Sequence, residues 1–181
     1  MASNSRLILD GIDTNKLAEI SAECDKLSNT ITALVRNIVN SPTEELDALM
    51  DQIYKRFMNE SSGEVTLPEL EDFLAELCAV MYRTQMSVEK IGILADTSKN
   101  IYEDVYANAV RNSDGTAKDK READGMLKAQ YEALCLDVRK RAYNIAKLKM
   151  EGADRQMTAI KKIITSRISE FNASVNDGTD N

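Results

Sequence analysis

Apolar residues recur along this chain with the alternating spacing of three and four that is typical of packed helices. In the first stretch the repeat is uninterrupted, and its positions are Leu17, Ile20, Cys24, Leu27, Ile31, Leu34 and Ile38. A second repeat of the same kind runs from Leu70 to Ala109. The pattern therefore predicts long amphipathic helices over most of the chain and an all-α fold.

Two short segments carry the signal for a helix start. In Ser41-Pro42-Thr43-Glu44 the serine can cap a helix, the proline fits its first position, and the glutamate can close a capping box. This segment predicts a break between a first helix and a short second one. Thr66-Leu67-Pro68-Glu69 repeats the signal and predicts the start of a long helix that ends near Val110.

A turn cluster, Asn112-Ser113-Asp114-Gly115, precedes a final helix predicted from about Ala117 to about Phe171. Two long helices joined by a turn of about five residues must fold back on each other. The predicted fold is thus all-α: a long antiparallel helical hairpin, coiled-coil-like, with two additional N-terminal helices. The predicted organisation is a flexible N-terminus over 1–12, a helical pair over 13–60, the hairpin over 66–172 and a disordered tail over 173–181.

A lone hairpin buries its apolar seam on one side only, so we expect the protein to form a homo-oligomer. No apolar run approaches the roughly 20 residues that span a bilayer, and the N-terminus lacks the pattern of a signal peptide. The sequence therefore predicts a cytoplasmic protein without a membrane partner.

The composition argues against enzymatic and metal chemistry. Histidine is absent, which removes the usual general base near neutral pH and the commonest transition-metal ligand. The three cysteines, Cys24, Cys78 and Cys135, lie more than fifty residues apart and lack the spacing of a zinc site. We therefore expect no catalytic residue, no metal and no cofactor.

Charge is sorted along the chain. Residues 1–110 carry 9 basic and 19 acidic groups, whereas residues 111–181 carry 14 basic and 11 acidic groups, within a net charge of −7. Between Val138 and Ile168 only two acids, Glu151 and Asp154, accompany nine cations. We call these nine the basic stripe: Arg139, Lys140, Arg141, Lys147, Lys149, Arg155, Lys161, Lys162 and Arg167.

Two explanations of the stripe remain open. The basic helix can lie on the acidic helices of its own chain or of a neighbouring protein surface, which would orient an assembly. Alternatively it can follow a phosphate backbone, because neutralised phosphates release counterions and drive binding to any sequence. Few aromatic side chains, Tyr143 and Tyr131, lie near the stripe, so binding to a single-stranded nucleic acid would be mostly electrostatic and sensitive to salt.

From residue 101 onward the chain carries a helix ending Tyr102-Glu103-Asp104-Val105-Tyr106-Ala107-Asn108-Ala109, a turn with Gly115-Thr116, the run Lys120-Arg121-Glu122-Ala123, Tyr131, and a segment of basic and apolar residues from Glu151 to Ile164. This organisation is similar to that of phage UvsY-type recombination mediators over roughly residues 70–170. Residues 13–60 lie outside the resemblance, and the isoelectric point of about 4.8 is low for a protein that holds DNA.

The resemblance implies a non-enzymatic oligomer in a phage-infected bacterial cell, one that binds single-stranded DNA and helps to load a recombinase onto it. The residues implied to contact DNA are Lys118, Lys120 and Arg121 by the turn, together with the basic stripe. The alternative is a structural or scaffolding protein, such as a virion component, in which coiled-coil and charge-paired contacts join subunits.

Overall fold

The computed structural model describes residues 14–58 and 63–177, and this part of the chain is helical with no strand. Its four helices are α1 (Thr14–Met58), α2 (Leu67–Arg111), α3 (Lys118–Lys128) and α4 (Gln130–Asp177). The prediction of an all-α fold is confirmed. The predicted flexible N-terminus, 1–12, lies outside the described residues. Within the predicted tail, α4 continues to Asp177 and residues 178–181 are not described.

The chain divides into two compact units, residues 1–34 and 35–181, and the boundary falls inside α1. The described part of the first unit is the helical segment 14–34, and its described side chains are exposed except for a half-buried Ile31. The second unit contains the rest of α1 and the other three helices. The buried core of the described chain therefore belongs to the second unit.

That core forms where three helices meet. It contains side chains from the second half of α1, the segment before α2, the first half of α2 and the second half of α4, namely Leu46, Leu49, Ile53, Val65, Leu70, Leu77, Val80, Ala153 and Ile160. Each of the larger aliphatic side chains contributes about 1.5–3 kcal/mol when it is withdrawn from water. Farther along, α2 and α4 remain paired in antiparallel orientation through the buried small residues Ala95, Ala142 and Ala146.

The break predicted at Ser41-Pro42 is absent, and α1 passes through Pro42 as one helix where the sequence predicted two. Val39 precedes the proline, Leu46 follows it, and both side chains are buried. Continuing the helix buries both residues on one packed face, and this tertiary packing outweighs the unfavourable helix propensity of proline. Thr43, which is fully buried, donates its hydroxyl to the carbonyl oxygen of Val39 at 3.0 Å, so its polar side chain is satisfied inside the helix.

The predicted final helix is divided at Ala129 into α3 and α4. The division lies where α3 packs against the end of α2. Gly125 makes this close approach possible, since a Cβ placed there would lie 2.5 Å from Cγ2 of Val110 and 3.0 Å from Cε2 of Tyr106. The turn itself is held by Ser113, whose hydroxyl donates to Asp124 and accepts the N–H of Gly115 at 3.2 Å.

Replacing Gly125 by alanine should destabilise the protein although alanine is the better helix former, because the new methyl group must displace Val110 or Tyr106. Overpacking of this kind costs about 1–3 kcal/mol. Gly152→Ala is the matched control: its Cβ would meet only the terminal carbon of Met50 at 3.4 Å, so it should stabilise by about 0.5–1 kcal/mol. Urea unfolding of both variants measures the difference, and equal changes would contradict the proposed close packing.

The predicted start of α2 at Thr66 is confirmed, and a full capping box is present. The N–H of Glu69 donates to Oγ1 of Thr66 at 3.4 Å, and the N–H of Thr66 donates to Oε2 of Glu69 at 2.8 Å. Arg56 of α1 donates from Nε and Nη2 to the two carboxylate oxygens of Glu69, each at 3.1 Å. The hydrogen bond from the Thr66 backbone, supported by Arg56, lowers the pKa of Glu69 from 4.5 to about 2.

Because the pKa of Glu69 is lower in the folded state, its ionised form stabilises the fold above about pH 4.5, and this contribution disappears as the pH falls toward 2. The Tm of Glu69→Gln should therefore lie below that of the wild type at pH 6 and converge with it near pH 2. Glu71→Gln, at an exposed position in the same turn, is the control. A gap in Tm that stays constant from pH 6 to pH 2 would show that the carboxylate charge is not what stabilises the cap.

Candidate nucleic-acid interface

The twelve cations predicted to contact nucleic acid lie on two helices. Lys118, Lys120 and Arg121 are in the first turns of α3, and the nine residues of the basic stripe are on α4. An α-helix has 3.6 residues per turn, so nine cations at irregular spacing cannot share one face. The structure accordingly separates the stripe into an inward set and an outward set.

The inward set contains Arg139, Lys149 and Arg167, each half-buried. Lys149 reaches α1, where Nζ donates to Oγ1 of Thr43 at 2.9 Å and forms an ion pair with Asp47. The side chains of Thr43 and Asp47 on α1 and of Lys149 on α4 thus form one polar clamp, and the hydroxyl of Thr43 is buried within it. The ammonium group of Lys149 is directed into the bundle.

The other two inward cations contact α2 and the segment before it. Arg139 donates to Oγ of Ser98, which is buried on α2, and Arg167 donates to the backbone oxygen of Val65 and to the carboxylate of Glu64. These contacts hold α4 against its neighbours. The sequence analysis assigned Arg139 to the candidate interface, but its guanidinium lies over the packed face of α2. All three inward residues are engaged within the chain and therefore lie outside the candidate interface.

The sequence contained a signal for the inward positions. Lys149 lies seven residues after Ala142, and Arg167 lies seven after Ile160, so each cation repeats the phase of a buried residue two turns earlier. Long Lys and Arg side chains can lie along an apolar face while their charged ends reach a polar partner. Phase, rather than charge, distinguishes these cations from the rest of the stripe.

The outward set includes four cations in one row along α4, Lys140, Lys147, Arg155 and Lys162. Their spacings of seven, eight and seven residues are each close to two helical turns, so the row runs along one face for about 33 Å. We call these four residues the outer row. All are exposed, and no side-chain hydrogen bond or ion pair within the described residues engages them.

Other charges border the outer row. Arg141 and Lys161 are exposed on its two flanks, whereas the exposed carboxylate of Glu151 interrupts the row between Lys147 and Arg155. At four residues from each of these cations, Glu151 reduces the local positive potential in the middle of the row. The row is therefore strongest toward its two ends.

The cations of α3 are less well placed. Lys118 forms an ion pair with Glu122 at 3.6 Å on the same helix. The aliphatic stem of Lys120 packs over Gly115, where a Cβ would meet its Cγ at 3.1 Å. Arg121 is exposed without a contact of this kind. These three residues form a short basic patch at the start of α3 rather than a continuation of the outer row.

The two nearby tyrosines differ in their relation to the outer row: Tyr143 lines the same groove as Lys147 and Arg155, whereas Tyr131 lies apart from it. Tyr143 is half-buried and packs over Gly92, where a Cβ would lie 3.0 Å from its ring. Tyr131 is 73% exposed, but it lines a shallow apolar depression with Ser98 and Ile101 on the side of α4 that faces α2. The outer row therefore offers mainly charge, with one half-buried aromatic ring, that of Tyr143, beside it.

A groove of about 530 Å³ runs between α2 and α4. It is lined by side chains of mixed polarity that include Met81, Val88 and Tyr143 as well as Lys147, Glu151 and Arg155 of the outer face of α4. Within the described residues no group of three or more Cys, Asp or Glu side chains is placed to hold a metal ion. No helix in this part of the chain is long and apolar enough to cross a membrane.

Comparisons with protein-family models, with curated proteins and with solved structures find no match to this chain. The chemistry of its surfaces must therefore carry any functional inference.

Two lysines, two residues apart on α4, should differ sharply in their effect on stability. Lys149→Gln breaks the clamp with Thr43 and Asp47, and because the ion pair is only partly buried we expect a loss of about 1 kcal/mol in the free energy of unfolding. Lys147→Gln changes an exposed side chain and should stay within about 0.5 kcal/mol of the wild type. Urea unfolding tests the pair, and an equal loss in both variants would contradict the separation into inward and outward cations.

Proposed function

We propose that this protein is a non-enzymatic, nucleic-acid-binding protein that holds single-stranded DNA along the outer row of α4, in the manner that its resemblance to recombination mediators implies. The observation that carries the proposal is the outer row itself: four exposed cations in phase along about 33 Å of helix, free of intramolecular partners among the described residues.

The outer row can attract a polyanion although the chain as a whole is acidic. Charges in 0.1 M salt are screened over about 10 Å, so a bound strand responds mainly to the nearest side chains. Each phosphate neutralised by the row releases condensed counterions, which favours binding in proportion to the number of contacts. The net charge of −7 opposes approach from a distance, so association should be weak and strongly dependent on salt.

A single strand fits this row better than a duplex does. The four cations are spaced about 11 Å apart along one helix. A flexible strand can bend to bring phosphates to each cation, whereas the phosphates of a duplex hold fixed positions. Because the contacts are mainly charged and Tyr143 is the one aromatic ring beside the row among the described residues, we expect little preference for sequence.

A salt titration of a fluorescent oligonucleotide tests the proposal. For single-stranded DNA, each phosphate contact contributes about 0.7 to the magnitude of the slope of log K against log salt concentration, and this contribution disappears when the contact is removed. The double variant Lys147→Gln/Arg155→Gln should therefore bind more weakly, with a slope shallower by about 1.4. Lys149→Gln is the matched control, and it should retain the wild-type slope because its ammonium group contacts Asp47. Glu151→Gln should raise affinity by removing the acid from the row.

Failure to bind single-stranded DNA at low salt would exclude this function. Binding that is unchanged in the double variant would locate the interface elsewhere, with Lys120 and Arg121 of α3 as the next residues to replace.

A scaffolding function is the second candidate, and two observations favour it. The ion pairs of Lys149 with Asp47 and of Arg167 with Glu64 show that the basic helix already docks on acidic residues of the same chain. In addition, much apolar surface is exposed on α1. A protein of this class would form assemblies that persist without nucleic acid, and light scattering of nuclease-treated protein distinguishes it from the first candidate.

A further inference from the structure

The described part of the first unit exposes a continuous apolar seam. Leu17 is 56% exposed, Ile20 50%, Leu27 53% and Leu34 46%, and Cys24 between them is also exposed. The seam covers about 26 Å of helix. Single exposed apolar residues are ordinary, but an aligned strip of this length marks an interaction surface.

The helix itself needs such an interaction. Helix formation in water is marginal for short segments, and most helical stability in proteins comes from packing of an apolar face. Residues 14–34 bury none of their described side chains fully. A partner that covers the seam would supply the missing packing.

The seam has the pattern that a second copy of itself would recognise. With Leu17 as position a of the heptad, Cys24, Ile31 and Ile38 also occupy a, while Ile20, Leu27 and Leu34 occupy d. Between Leu17 and Leu34 the repeat fills six successive a and d positions without a break, which is the pattern of a coiled coil. Knobs-into-holes packing requires the partner helix to carry the same repeat, and an identical chain satisfies that requirement.

The flanking positions permit the pairing. Positions g hold Lys16, Glu23 and Thr30, and positions e hold Ser21, Ser28 and Val35. In a parallel pair each g residue faces the e residue five positions later on the partner helix. Lys16 then lies near Ser21, and Glu23 lies near Ser28. No like charges oppose each other in this register.

The core residues at the C-terminal end of the seam favour two parallel strands. Isoleucine at a combined with leucine at d is the arrangement that selects parallel dimers, and it is present where Ile31 lies between Leu27 and Leu34; the first heptad, with Leu17 at a and Ile20 at d, has the reverse arrangement. From Val35 onward α1 begins to pack against Ile145 of α4. The coiled coil should therefore end near Val35.

We propose that residues 17–34 of two copies of this chain form a parallel, two-stranded coiled coil. The resulting dimer is independent of the proposed nucleic-acid binding, because the outer row lies on a different helix.

The mass of the full chain in solution tests the proposal. Sedimentation equilibrium over a range of concentrations should give about twice the monomer mass of 20.2 kDa. Leu27→Glu places a charge at the seam of both helices and should weaken dimerisation by more than about 100-fold. Ala22→Glu introduces the same side chain at the outward position f of the same helix and should remain a dimer.

The orientation has its own test. In a parallel pair the two Cys24 side chains face each other, within the range of Cα separations that a disulfide can bridge. Diamide should therefore convert the Cys78→Ser/Cys135→Ser variant to a disulfide-linked dimer on a non-reducing gel. Adding Cys24→Ser and Ala22→Cys to that variant moves the thiol to the outward face and should abolish the crosslink.

Each alternative result overturns the proposal in an identifiable way. A protein that stays monomeric at all concentrations excludes a second copy as the occupant of the seam. The seam would then be covered by another part of the same chain or by a different protein. A dimer that Leu27→Glu does not dissociate pairs through another surface, and a seam-dependent dimer without the Cys24 crosslink is not parallel. All of these measurements are made without nucleic acid, so failure of DNA binding leaves them unaffected.

Discussion

The packing of the second half of α1 against both α2 and α4 is the constraint on which the rest of the fold depends. A helical hairpin alone encloses little volume, and the largest fully buried side chains, such as Leu46, Ile53 and Leu77, lie where the third helix joins it. This packing keeps α1 helical through Pro42. It also places Thr43 where the ammonium group of Lys149 can reach it. The packing of α1 against α2 and α4 therefore explains the continuity of α1, the position of the core and the ion pair of Lys149.

The helices were predictable because their apolar repeats are long and regular. The capping signal at Thr66 was interpreted correctly, yet the nearly identical signal at Ser41-Pro42 was not a helix start. The local chemistry of the two segments is the same. What differs is the packing on either side, where Val39 and Leu46 are buried on one continuous face, and this tertiary fact cannot be read from the four residues themselves.

The candidate interface was only half predictable. Charge alone selected twelve cations, but charge does not reveal whether a long side chain points to solvent or to an acid on a neighbouring helix. Lys149 and Arg167 were both assigned to the interface, although their heptad phase is a signal that could have identified them as inward. The contact of Arg139 with Ser98 is seen only in the structure. Part of the charge sorting along the sequence thus binds α4 to the acidic half of the chain through the pairs Lys149–Asp47 and Arg167–Glu64, and the outer row remains exposed.

One helix belongs to two compact units, because the boundary between residues 34 and 35 divides α1. Its second half gains hydrogen-exchange protection from the core, so those amides open only when the bundle unfolds. Its first half has no such core, and its amides should exchange through local opening unless the seam is covered. If the seam pairs with a second copy, the free energy of that opening rises with protein concentration. The backbone of a single α-helix would then report global stability at one end and the degree of self-association at the other.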